Sequence, residues 1–146
     1  MHPVPDRSPL DEAVSRVGDR WALLLVQALL AGPRRFNELQ EDLPGIAPNV
    51  LTQRLRNLER QGVLRATPYS ERPPRMVYEL TGSGRELAGA LRLLAQWGAG
   101  RSGEAEPLRH SPCGSALEAR WWCPTCDRVV DDAETPAATD DEVRFL

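Results

Sequence analysis

Pro48-Asn49-Val50-Leu51-Thr52-Gln53-Arg54-Leu55-Arg56-Asn57-Leu58-Glu59-Arg60-Gln61-Gly62 is the stretch that decides the fold of this chain. Leu51, Leu55 and Leu58 recur at helical spacing and form one apolar stripe. Asn49, Thr52, Gln53 and Arg56 fall on or beside the outward face. Proline suits the first helical turn and Gly62 ends the pattern, so a helix is expected over about 48–61. Ala47 stands where a Ser or Asn cap is expected, which leaves the start of that helix poorly capped. On the N-terminal side, Arg34-Arg35-Phe36-Asn37-Glu38-Leu39 opens a short helix, 36–43, with Phe36, Leu39 and Leu43 on one face. Pro44-Gly45-Ile46-Ala47-Pro48 turns the chain between the two helices. On the C-terminal side, 63–67 and 76–80 have strand character; in the second, Met76, Tyr78 and Leu80 alternate with Val77 and Glu79. Between them lies a basic, proline-rich turn, Pro68-Tyr69-Ser70-Glu71-Arg72-Pro73-Pro74-Arg75. Helix, turn, polar-faced helix and basic hairpin, in that order, imply a mainly α (α+β) fold: a winged helix-turn-helix with a two-stranded wing.

The flanks fit this frame. Leu10, Ala13, Val14 and Val17 place a first helix over 10–18. A second begins near Trp21, is apolar on most sides, and stops at Gly32-Pro33. Thr81 can cap a last long helix over 82–98, with Leu87, Leu91, Leu94 and Ala95 as its seam and Gly82 and Gly84 weakening its first turn. The expected organisation is a winged helix-turn-helix DNA-binding domain over 8–100, a small appendage over 107–130, and an acidic tail, 131–146, whose poverty in large apolar residues suits disorder.

The chain has 146 residues, of which 41% are hydrophobic, enough for a globular core. All 18 basic residues are Arg, and the net charge is −3. Residues 1–101 hold 14 Arg against 11 acidic residues, whereas 102–146 hold 4 against 10. Binding follows the local field, so the acidic end does not exclude a nucleic-acid partner. The N-terminus has no apolar signal region and no run is long enough to span a bilayer, so a cytoplasmic location without a membrane partner is expected. An enzyme is not expected: no His lies in 3–109, and neither a Ser/His/Asp set nor a Gly-rich phosphate loop is present.

A helix that reads the major groove must offer forked or short polar side chains to base edges. Asn49, Thr52, Gln53 and Arg56 are the candidates; Arg54 is assigned to a phosphate or to an intramolecular ion pair. Arg72 and Arg75 flank the wing prolines, where arginine can enter a minor groove or grip phosphate. Arg34 and Arg35 precede the short helix and can meet phosphate, with a structural role open for Arg35.

Residues 8–97 resemble the HxlR family of bacterial winged helix-turn-helix regulators. The resemblance is carried by Gly18-Asp19-Arg20-Trp21, by Arg35-Phe36-Asn37-Glu38-Leu39, and by Gly45-Ile46 followed by Leu51-Thr52-x-Arg54-Leu55-x-x-Leu58-Glu59-x-x-Gly62. Tyr69 with Pro73, then Tyr78-Glu79-Leu80-Thr81-x-x-Gly84-x-x-Leu87, completes it. It implies a homodimeric transcriptional regulator on double-stranded operator DNA, its effector unassigned. Leu10 and Val14 of the first helix with Leu87, Leu91 and Leu94 of the last are then the expected dimer interface. Members of the family often carry a cysteine just before the first helix, used by some as a redox sensor; Ser8 occupies that region here.

The last motif lies outside that pattern. His110-Ser111-Pro112-Cys113-Gly114 and Cys123-Pro124-Thr125-Cys126-Asp127 are two ligand-x-x-ligand loops, and they use every Cys in the chain. One imidazole and three thiolates suit tetrahedral zinc, so His110, Cys113, Cys123 and Cys126 are expected to hold one structural zinc per chain, in a segment that resembles a zinc ribbon. Asp127 departs from the glycine usual after the second loop. A tail of unrelated thiols and a Cys-x-x-Cys redox pair are the other readings. Two further functions stay open beside the leading one: a metal- or redox-responsive regulator sensing through this cluster, and a protein-interaction module without sequence-specific DNA binding.

Overall fold

The computed structural model describes residues 7–131 and Glu134; the rest of the acidic tail, 132–133 and 135–146, lies outside the described residues. The helices are α1 (Pro9–Val17), α2 (Arg20–Leu30), α3 (Phe36–Asp42), α4 (Pro48–Arg60), α5 (Gly82–Arg85) and α6 (Ala88–Ala99). The strands are β1 (Arg34–Arg35), β2 (Leu64–Glu71), β3 (Pro74–Leu80), β4 (Trp121–Cys123) and β5 (Arg128–Val130). The described residues form two compact units: Val14–Arg92, and a second made of those up to Ala13 together with those from Leu93 onward.

In the first unit a three-stranded antiparallel sheet, in the order β1-β3-β2, backs the helices. The core is aliphatic: Leu25, Val26 and Leu29 of α2, Leu39 of α3, and Leu51, Leu55 and Leu58 of α4 pack with Val63, Leu64 and Leu80. The stripe read from the sequence is therefore the inward face of α4, and each of its three leucines is at most 2% exposed. Leu87 and Leu91 are half-buried against the same core.

Two local devices fix the helix-turn-helix. Asp19 accepts hydrogen bonds from the Trp21 and Ala22 N–H groups and so caps α2, satisfying donors that a helix start otherwise leaves open. At the far end of α4, Gly62 sits at φ +72, the left-handed conformation that ends a helix at little cost. Thr81 then ties that end to the sheet. Its N–H donates to the Val63 carbonyl at 3.0 Å and its hydroxyl to the Gly62 carbonyl at 2.5 Å. The same hydroxyl accepts from the Gly84 N–H at 3.2 Å.

Three expectations are corrected. The turn expected over 68–75 is mostly strand: Ser70 pairs with Arg75 and Glu71 with Pro74, so only Arg72 and Pro73 make the tip. Pro68 and Pro74 read as turn signals, but neither strand's outer edge is paired there, and an edge tolerates a missing N–H. A register shift between Pro68 and Ser70 absorbs the irregularity. The single helix expected over 82–98 is divided. The Leu87 N–H donates to Gly84 rather than continuing the α pattern, which resumes when Leu91 donates to Leu87. Gly82, Gly84 and Gly89 lower helix propensity on both sides of this joint. Arg34 and Arg35, read as the approach to a helix, form β1 opposite Tyr78 and Val77, where sheet pairing occupies their backbone.

The second unit contains two hairpins. In the first, Leu117 N–H donates to Leu108 O at 2.8 Å and His110 N–H to Ser115 O at 2.8 Å. In the second, β4 and β5 pair from Trp121↔Val130 to Cys123↔Arg128. Among the described residues of the stretch 101–131, none is buried.

Candidate nucleic-acid interface

The outer face of α4 is a stripe fixed by the inner one. With Leu51, Leu55 and Leu58 buried, the helical period puts Asn49, Gln53 and Arg56 on the side facing solvent, and all three are exposed. Arg60 continues the same line one turn further and is also exposed. Sequence reading did not single out Arg60; its spacing of four from Arg56 was the available signal. Thr52 is half-buried, and its hydroxyl donates to the Pro48 carbonyl at 3.0 Å, so its donor is already used inside the helix. Ala47 provides no side-chain cap and Pro48 has no N–H, so the positive end of α4 is open to an acceptor.

The arginines divide into those held by the fold and those that are not. Arg54 meets Asp19 through Nε at 2.8 Å and Nη2 at 3.3 Å. That bond and the two backbone donors hold the Asp19 carboxyl below the usual carboxylate range, with Arg54 the largest cause, against a smaller opposing effect of burial. Of the two roles open to Arg54, the geometry presents the ion pair. Arg34 lies 3.4 Å from Asp42, and Arg65 pairs with Glu79 across the hairpin at 2.6 Å. Arg35 stacks on Tyr69, 4.5 Å from the ring centre, and its N–H donates to Glu38 at 2.8 Å. By contrast, Arg56, Arg60, Arg72 and Arg75 make no ion pair among the described residues. Arg72 lies at the wing tip, and Arg75 borders a groove of about 540 Å³ shared with Arg35, Asn37 and Tyr78. Glu71 is also exposed at this tip and moderates its positive field.

The expected metal ligands stand as two pairs. His110 Nδ1 lies 3.3 Å from Cys113 Sγ, and Cys126, first through its backbone, holds the Cys123 thiol below its ordinary value. Among the described residues no group of three or more His, Cys, Asp or Glu is gathered at metal-holding distance. Hydrogen bonds from Ser115 first, and from His110 after it, pull the Cys113 thiol down to about 7.

A family model described as HxlR-like helix-turn-helix matches residues 16–106. The chain belongs to that family. By family it is a transcriptional regulator of helix-turn-helix type, as the resemblance implied. An HTH-type transcriptional regulator of Mycobacterium bovis is 39% identical over 122 residues, covering 81% of this chain and 77% of its own. A solved structure described as that of an HTH-type transcriptional regulator YtcD is 36% identical with a TM-score of 0.60, over 64% of this chain and 96% of the solved one. A structure from Pseudomonas aeruginosa described as that of a transcription factor is 30% identical with a TM-score of 0.69. It covers 93% of this chain and 97% of its own, so that likeness runs beyond the winged helix into the C-terminal hairpins. Among the described residues no helix is long and apolar enough to cross a membrane.

Proposed function

We propose that this protein binds operator DNA sequence-specifically as a homodimer, with α4 in the major groove and the β2–β3 wing on flanking DNA. The observation that carries the reading is the division of α4 into a fully buried leucine face and an exposed line of Asn49, Gln53 and Arg56. Asn and Gln can pair with adenine and Arg with guanine, and among the described residues the side chains of Asn49, Gln53 and Arg56 make no ion pair that must be broken before they meet a base. Arg60, Arg72 and Arg75 supply phosphate contacts, which position the protein without reading sequence.

A second copy of the chain is supported by the apolar surface that single copies leave in water. Among the described residues α6 has no buried residue; Leu94 is 53% and Trp97 65% exposed. On α1, Leu10 is 64% and Val14 55% exposed. A two-fold pairing through such faces sets two recognition helices on the order of 34 Å apart, one turn of DNA.

The test is selection of DNA fragments by the purified protein, followed by affinity measurements on the selected site and on random DNA. Gln53→Ala and Arg56→Ala should each cost about 1–3 kcal/mol on the selected site and little on random DNA. Absence of any sequence preference would favour the protein-interaction reading instead. Equal losses on both DNAs would move Gln53 and Arg56 from base contacts to phosphate contacts.

A further inference from the structure

We infer that His110, Cys113, Cys123 and Cys126 bind a single zinc ion in each chain, which fastens the two C-terminal hairpins to one another. The two loops differ in sequence yet share one backbone plan. In each, two ligands stand three residues apart and the next residue is left-handed: Gly114 at φ +73 and Asp127 at φ +54. Among the described residues Asp127 is the only non-glycine with positive φ. Left-handed backbone is uncommon outside glycine, and aspartate is one of the residues that tolerates it. The departure from glycine noted in the sequence therefore leaves the turn unchanged. Within the first loop the ligands already face one another, His110 Nδ1 lying 3.3 Å from Cys113 Sγ.

The hairpins are joined only by Glu118, Ala119 and Arg120, so Leu117 and Trp121 lie at most about 14 Å apart. Each pair is thus held at high effective concentration near the other, and an ion bound by one pair meets the second intramolecularly. Three thiols and one imidazole are a soft to borderline donor set suited to zinc, and four protein ligands leave no open position for catalysis. The segment also needs such a link. It has no buried side chain among the described residues of 101–131, and Trp121 and Trp122 are 65% and 56% exposed. A segment that buries so little draws its folding free energy from a bound metal.

The experiment uses the full chain, made without a metal-affinity tag and purified with a thiol reductant. Elemental analysis should give about one zinc per chain, with thiols that react slowly until a chelator is added. Cobalt(II) substituted for zinc should give the visible bands of a tetrahedral thiolate site. Cys113→Ser and Cys123→Ser should each abolish stoichiometric metal, while Ser111→Ala should retain it. Operator binding and helical circular dichroism of the Cys variants report whether the winged helix stays folded. Zinc well below one per chain with all thiols reduced, and no tetrahedral cobalt spectrum, would overturn the inference. So would a Cys113→Ser variant that holds metal as tightly as the parent. A Cys123–Cys126 disulfide in metal-free protein purified without reductant would assign the pair to redox chemistry instead.

Discussion

Gly84→Ala is the substitution that most directly tests how the recognition helix is held. A Cβ at residue 84 would lie 2.1 Å from the Val63 carbonyl oxygen and 3.1 Å from Leu80 Cδ2. Relief requires the chain to move by about 1 Å, because heavy-atom contacts of this kind become comfortable only beyond 3 Å. That carbonyl cannot retreat freely: it accepts from the Thr81 N–H at 3.0 Å and lies 3.1 Å from the Thr81 hydroxyl. Overpacking costs about 1–3 kcal/mol and a strained hydrogen bond about 1 more, against a gain of up to about 1 from alanine's helix propensity. The net expectation is a loss of about 1–3 kcal/mol. Gly82→Ala is the matched control. Nothing lies within 4 Å of its Cβ position, so reduced freedom of the unfolded chain should stabilise by about 0.4–1 kcal/mol. The two variants differ by one methyl at positions two residues apart, yet should move in opposite directions. In a unit of this size each kcal/mol shifts Tm by about 4–8 °C, so they should melt at least about 5 °C apart. Thermal and urea denaturation followed by circular dichroism, at one fixed protein concentration, measure the difference. A Gly84→Ala protein that melts with or above Gly82→Ala would refute the close packing of α5 on Val63.

Asp19→Ala removes the α2 cap and the Arg54 partner together, and should cost about 1–2 kcal/mol at neutral pH, most of it from the cap because the ion pair is partly exposed and screened by solvent. The folded Asp19 carboxyl titrates below its ordinary value, so its contribution is present above about pH 4 and disappears as pH falls through the folded value. Denaturation midpoints of parent and variant should therefore converge in acid; a gap that persists there would mean the charge plays no part. The double variant Arg72→Ala/Arg75→Ala should bind all DNA sequences more weakly, with a salt slope shallower by about 0.9 for each phosphate that is no longer neutralised; an unchanged slope would remove the wing from the interface. Leu94→Arg alters an exposed side chain, so the fold should survive while sedimentation shows monomer and operator affinity falls. A parent protein that is monomeric at micromolar concentration would end the dimer proposal.

What the sequence disclosed and what it concealed follow from the range of the forces involved. The leucine period of α4, the glycine that stops it and the Gly32-Pro33 break after α2 are local signals, and each appears where it was expected. The wing was misjudged because proline is ambiguous: it marks a turn, but it is equally at home on an unpaired strand edge, and only pairing between residues far apart in sequence decides. Strand β1 was hidden for the same reason, since two arginines carry no strand signal until Val77 and Tyr78 lie opposite them. Asp19 was quoted as part of a family pattern, yet its work is physical and was available: an acidic residue just before an apolar helix is a cap. Its grip on Arg54 was not available, because 35 residues separate them in the chain.

A net charge of −3 does not exclude a locally basic face, because the field at a surface follows the charges nearest to it. Arg54, Arg34 and Arg65 are neutralised locally by Asp19, Asp42 and Glu79. These pairs cancel charge on both sides and leave the sum unchanged. On the face proposed to meet DNA, what remains is Arg56 and Arg60 on α4 with Arg72 and Arg75 on the wing, opposed there by Glu59 and Glu71. The margin is narrow, so the wing must lie close to phosphate for its arginines to prevail over its own glutamate. Glu71→Gln should accordingly strengthen binding to every DNA sequence at low salt, and the gain should fade as salt shortens the range of the field. An affinity unchanged by Glu71→Gln at low salt would place the wing tip farther from the backbone than the proposed docking requires.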